Sequence, residues 1–201
     1  MRGKARNTIA RPRAKPPQRR SREAVRDATL KAAYDLLTEI GLSGVSLDEV
    51  SRRSGVAKTT IYRYWANRSA LLLEACMQYA PRVEVPDTGS LRGDLTAVAG
   101  VMAHRLQTGR WSSALPSVID AAERDKAIAE LQTLQHKAMM SVFDTIAARA
   151  KQRGDFPADI EPSELTAAIA GPLFYRRWFS RQKLDDAFVR RVVERVLRNG
   201  T

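Results

Sequence analysis

Val25, Thr29, Ala32, Ala33, Leu36, Leu37 and Ile40 recur at intervals of three and four, the spacing of one helix face, and Gly41 follows as a stop. The pattern then shortens. Ser46 and Glu49 form a capping box, in which the Ser46 hydroxyl accepts from the Glu49 amide and the Glu49 carboxylate reaches back. It opens a short helix to about Ser54, and Gly55 suits a tight turn with positive φ. Residues 58–65 form the next short helix. Asn67 or Ser69 caps a fourth, which carries Leu71, Leu72, Ala75, Cys76 and Tyr79. Residues 81–90 hold two prolines and a glycine and have the composition of a linker.

Beyond the linker the apolar spacing stays helical, with no strand-like alternation. Helices are expected over 91–108, over 111–122 with an interruption at Pro116, and over 125–153 with Gly154 as the stop. Pro162 fits the first turn of a helix to about Arg181, and Asp185 caps a last one to about Arg198. The predicted fold is all-α, about nine helices: an N-terminal three-helix helix-turn-helix domain followed by a C-terminal helical domain. Residues 1–20 form an arm, 21–80 the first domain and 81–201 the second.

Charge changes this picture in one place. The chain carries a net +12, and residues 1–20 alone hold eight basic groups and no acid, two thirds of the excess. That arm also has Pro12, Pro16 and Pro17 and almost nothing apolar, so disorder is expected. Its charge suits a polyanion such as DNA, or serves only solubility. No apolar run approaches the roughly 18 residues of a membrane span. Cys76 is the one cysteine, so no intramolecular disulfide or cysteine zinc cluster is available. His104 and His136 make no ligand motif, and neither metal nor cofactor is expected. No Gly-rich phosphate loop, nucleophile elbow or acid–base cluster points to an enzyme. The expected location is the cytoplasm.

The candidate chemistry lies in residues 47–65. Two short helices crossing steeply need a small residue near the turn, apolar anchors and a turn of about three residues. Ser51, then Val50, Val56 and Ile61, then Gly55 to Ala57 supply them. What remains on the second helix is Lys58, Thr59, Thr60, Tyr62, Arg63 and Tyr64, the polar and aromatic groups that meet bases, methyls and phosphates in a major groove. A plain helical hairpin with a solvated polar face fits the hairpin pattern equally well. A sequence-indifferent architectural or RNA-binding protein would fit the basic arm, but not so polar a helix or so large a second domain.

Residues 41–72, GLSGVSLDEVSRRSGVAKTTIYRYWANRSALL, resemble the DNA-binding domain of the tetracycline-repressor (TetR) family. The resemblance is dense, covers about residues 21–79, and is loose beyond. It implies a sequence-specific transcriptional regulator, a repressor released from a palindromic double-stranded DNA operator by a small molecule. It also implies that Ser46 caps its helix and touches phosphate. Lys58, Thr59 and Thr60 would open the recognition helix, Tyr62 and Tyr64 would face groove and phosphate, and Arg68 would hold the backbone. Trp65, where the family more often has Phe, is expected in the core. For Arg63, base contact and a solvated face stay open.

The resemblance further implies a homodimer through the last two helices. The aromatic run 171–179 and the stripe on the final helix fit that, with Phe174, Trp178, Phe179, Phe188, Val192 and Val196 as interface candidates. A cavity among the middle helices would take an apolar or amphipathic ligand. Leu106, Trp111, Leu115, Met139, Met140, Phe143 and Tyr175 are the lining candidates, each of which also fits ordinary core.

Overall fold

The computed structural model describes residues 21–80, 82–156 and 161–198. The arm over 1–20 lies outside them. Among the described residues the secondary structure is helical throughout: α1 (Arg22–Ile40), a 3-10 turn (Leu42–Gly44), α2 (Leu47–Ser54), α3 (Lys58–Tyr64), α4 (Arg68–Tyr79), α5 (Leu91–Thr108), α6 (Arg110–Ala122), α7 (Lys126–Arg153), α8 (Pro162–Trp178) and α9 (Asp186–Arg198).

Local chemistry sets most of these bounds. The side chains of Ser21, Ser46, Asn67, Ser90, Asp125 and Asp185 each accept from a backbone N–H in the first turn of the following helix. A helix start leaves such donors without partners, and each cap contributes about 1 kcal/mol. Asn67 rather than Ser69 caps α4. Ser69 is buried and bonds Asp125 at 3.2 Å instead.

Two bounds differ from expectation. Pro116 lies inside α6 and does not interrupt it. Proline removes one helical hydrogen bond, but Ala114 and Val118 on either side are fully buried, and that burial holds the turn together. Helix α8 stops at Trp178, short of Arg181. The amides of Phe179 and Ser180 both return to the Tyr175 carbonyl, and Arg181 takes a left-handed φ of 52°. A non-glycine residue in that conformation leaves no mark in the sequence.

The helices enclose two cores. Leu30, Leu36, Leu37, Val50, Ile61, Trp65, Leu71 and Leu72 of the N-terminal helices are joined in one by Ala114 and Val118 of α6 and by Ile128 and Leu131 of α7. The second core draws on α5, the later part of α7, α8 and α9, with Leu95, Phe143, Ile146, Ile169 and Val193 fully buried. Packing thus carries the first core past residue 80 along the chain. Polar contacts reinforce the junction: the Leu42 amide donates to Ser117 Oγ at 3.1 Å, and Arg110 bonds Asp35 and Glu39 of α1. The linker is held down at its far end, where the fully buried Asp94 accepts from the Thr88 amide and hydroxyl and pairs with Arg153 at 3.4 Å.

Candidate nucleic-acid interface

The site is built on the turn between α2 and α3. Gly55 sits at φ 67°, ψ 21°, and its amide closes the helix onto the Ser51 carbonyl at 3.0 Å. Ser51 Oγ donates to the Val56 carbonyl at 2.7 Å, and Ser54 Oγ accepts from the Val56 amide at 3.2 Å. Both peptide groups of the reversal are therefore satisfied by serines of α2, which fixes the crossing of the two helices. A Cβ added at Gly55 meets nothing within 4 Å, so Gly55→Ala carries backbone strain alone. We expect a loss of about 1 kcal/mol, a Tm lower by about 2–4 °C in a thermal melt, with DNA binding retained below the transition.

Helix α3 has two faces. Ile61 is fully buried and Trp65, just past its end, is 3% exposed. The indole N–H donates to Glu74 Oε2 of α4 at 2.9 Å, and Glu74 Oε1 pairs with Arg26 of α1 at 2.7 Å. The far end of α3 is tied through one carboxylate to both α1 and α4. Lys58, Thr59, Tyr62 and Arg63 are exposed on the other side, with Thr60 and Tyr64 half-buried beside them. The Arg63 guanidinium lies 5.5 Å above the Tyr64 ring, which packs 5.6 Å from Trp65. Arg63 is thus laid on an aromatic face in this structure.

Ser46 is exposed and caps α2, its hydroxyl oxygen accepting from the Glu49 amide at 3.1 Å. The second half of the capping box is not made. Glu49 turns forward to Arg52, its Oε2 accepting from Nε at 2.9 Å, because an exposed guanidinium one turn on competes with the backbone amide. That guanidinium holds the Glu49 carboxyl below its ordinary range. Arg68 is half-buried and donates to the Val45 carbonyl at 3.1 Å, bracing the start of α4 against the segment that enters α2. Two acidic residues of this region are not signalled by the sequence pattern. Glu74 is one. Asp48 is the other: its Oδ1 lies 2.6 Å from Lys58 Nζ and pushes the ammonium pKa up. The partners stand ten positions apart across a turn, where no helical spacing rule connects them.

Residues 30–75 match the family model described as bacterial regulatory proteins, tetR family, and residues 85–196 match that of the tetracyclin repressor-like C-terminal domain. The chain belongs to the tetracycline-repressor family. It is a DNA-binding transcriptional regulator of helix-turn-helix type. Among its TetR-family relatives, the DNA-binding transcriptional repressor TetR of Mycobacteroides abscessus is 33% identical over 85% of this chain and 90% of its own length. The HTH-type regulator YdeS of Bacillus subtilis is 31% identical over 85% and 87%. The crystal structure of the TetR-family regulator SCO0332 superposes with a TM-score of 0.68 at 28% identity, covering 88% of this chain and 98% of that one.

In the TetR-type C-terminal domain the interface candidates divide by burial. Val192 is 7% exposed within the second core, and Phe174, Trp178, Phe188 and Val196 are half-buried against it. Phe179 is 77% exposed and stacks on Tyr175, itself 62% exposed, with ring centres 5.6 Å apart. The Arg176 guanidinium covers the Phe188 ring at 3.9 Å. The lining candidates do not form one shell. Leu106 and Phe143 are buried in the second core with Met139 against them, Trp111 packs on the first core, Leu115 and Met140 are half-buried, and Tyr175 faces out beside Phe179. A polar groove of about 400 Å³, lined by Ser21, Glu23, Ala24, Arg26, Asp27 and Gln78, lies between the start of α1 and the end of α4, apart from all of them.

His104 and His136 are exposed, and a His104 ring nitrogen lies 3.2 Å from the Thr108 hydroxyl. Cys76 is fully buried on α4, and burial pushes its thiol pKa up to about 12. A thiol so held has little thiolate and reacts slowly. Among the described residues no group of His, Cys, Asp and Glu could hold a metal, and no helix is long and apolar enough to cross a membrane.

Proposed function

We propose that the protein is a homodimeric, sequence-specific repressor that leaves a palindromic operator when a small apolar or amphipathic molecule fills the C-terminal domain. One observation carries the DNA-reading half: α3 turns Lys58, Thr59, Tyr62 and Arg63 outward while Ile61 and Trp65 anchor its inner side. A helix fixed on one face and polar on the other enters a major groove as a rigid probe, and two copies related by a two-fold axis meet half-sites roughly 34–36 Å apart or a multiple of that. The protein works in the bacterial cytoplasm, on the nucleoid when bound.

Dimerisation is assigned to α8 and α9, where the exposed stack of Tyr175 and Phe179 continues the half-buried aromatics Phe174, Trp178 and Phe188. An exposed apolar patch of this kind on a soluble chain marks a contact surface. Sensing is assigned to the junction of the two cores. Helix α4 bonds the first residue before α7 through Ser69 and Asp125, and α6 bonds the DNA-reading head through Ser117 and Leu42. A ligand that prefers one arrangement of these helices weakens DNA binding, and DNA weakens the ligand by the same factor.

The test is sedimentation with and without a selected duplex. We expect two chains per operator, and a monomer that loses operator affinity in the double variant Tyr175→Asp, Phe179→Asp. A variant that stays dimeric would move the interface elsewhere. Removing residues 1–20 should flatten the dependence of affinity on salt by about 0.9 in log–log slope for each phosphate that the arm neutralises. An unchanged slope would take the arm off the DNA.

A further inference from the structure

We propose that Asp48 is a specificity-determining residue: it holds Lys58 away from non-operator DNA and yields it where a G·C base pair meets both side chains. The inference rests on the operator-reading function above. Asp48 is the second residue of α2 and Lys58 the first of α3, and their 2.6 Å ion pair bridges the two helices across the turn. Both partners are open to solvent, the Asp48 side chain at 74% and the Lys58 side chain at 43%. The needs of α2 itself are met by others, since Ser46 caps it and Glu49 is paired with Arg52 in the first turn. A carboxylate on the face that approaches a polyanion opposes binding unless it has a partner there.

The physical consequence separates two kinds of DNA. Non-specific affinity scales with the number of phosphates neutralised, and a lysine already neutralised by a carboxylate releases no counterion. The closed pair is neutral overall and therefore contributes little on arbitrary sequence. In the major groove a G·C pair presents the O6 and N7 acceptors of guanine beside the N4 amino donor of cytosine. There Lys58 can donate to guanine while Asp48 accepts from cytosine, so both charges exchange one partner for another. An A·T pair sets its acceptors, adenine N7 and thymine O4, on either side of the N6 donor, so the lysine there lacks the adjacent acceptor pair that guanine offers. The closed pair thus acts as a filter whose opening is matched to sequence.

The experiment measures affinity over a salt series for the duplex selected from a random pool and for an unselected duplex of equal length. It uses the intact protein, Asp48→Asn and Lys58→Gln, each checked for an unchanged fold by its thermal transition. With Asp48→Asn we expect tighter binding to the unselected duplex, a slope steeper by about 0.9, and a ratio of selected to unselected affinity lower by about tenfold or more. Lys58→Gln bares the Asp48 carboxylate, so it should weaken the unselected duplex somewhat and the selected one much more, which again lowers the ratio. If Asp48 serves only the helix dipole, both duplexes shift together and the ratio stays, which overturns the inference while the operator reading survives. If the intact protein itself binds the two duplexes equally, the operator reading fails and takes this inference with it.

Discussion

We expect Tyr62→Ala to leave the fold intact and to remove most of the preference for operator DNA. Tyr62 is 51% exposed, and the neighbouring Ile61, which anchors the helix, is fully buried. Truncating a surface side chain away from packed or bonded groups changes stability by about 0.5 kcal/mol or less. On the function proposed above the same side chain meets a base edge, where its contact should discriminate by less than the roughly 1–3 kcal/mol of a bidentate pair. Each half-site loses one, so the dimer should lose roughly the square of the single-site factor. Tyr62 carries no charge, so affinity for unselected DNA and its salt slope should stay where they are. Fluorescence anisotropy with selected and unselected duplexes separates the two effects. An equal loss on both would move Tyr62 from the bases to the phosphates.

Trp65→Ala has the larger effect on stability. The side chain is 3% exposed, touches the first core, and donates to Glu74. Replacing a buried aromatic of this size by alanine costs about 3–5 kcal/mol, a large share of a stability that is about 5–15 kcal/mol in all. Glu74 keeps Arg26 but loses the indole donor, which adds to the cost. Trp65→Phe retains most of the packing and removes only the hydrogen bond, so it should cost much less. Urea unfolding of both variants measures the difference. The operator affinity of Trp65→Ala should fall further than its folded fraction explains, because the far end of α3 is then no longer fixed to α1 and α4. A loss under 1 kcal/mol in Trp65→Ala would show that this tie is not what holds α3.

The features that sequence alone makes visible are those carried by short-range chemistry. Helical spacing locates the long helices, and the caps at Ser46, Asp125 and Asp185 with the stops at Gly55 and Gly154 place their ends within a residue or so. The polar outer face of α3 is visible for the same reason, since Ile61 and Trp65 leave Lys58, Thr59, Tyr62 and Arg63 with nowhere inside to go. Contacts between distant segments carry no such signature. Ser117 meets Leu42 and Arg110 meets Asp35 across 75 positions, and these contacts bring α6 into the first core rather than the second. The end of α8 depends on a left-handed Arg181, and Pro116 continues a helix because of burial on neighbouring turns. The Asp48–Lys58 pair has no sequence signature because it exists only once the turn at Gly55 has folded.

On the function proposed above, α3 reads a specific duplex as one half of a symmetric pair. Selection of bound DNA from a random duplex pool at physiological salt, run on the intact protein and on Tyr62→Ala, tests it most directly. We expect enrichment of a palindrome, with half-sites spaced by a helical turn or a multiple of it, that is lost in the variant. A pool that stays random for the intact protein, or the same motif emerging for both, would contradict it.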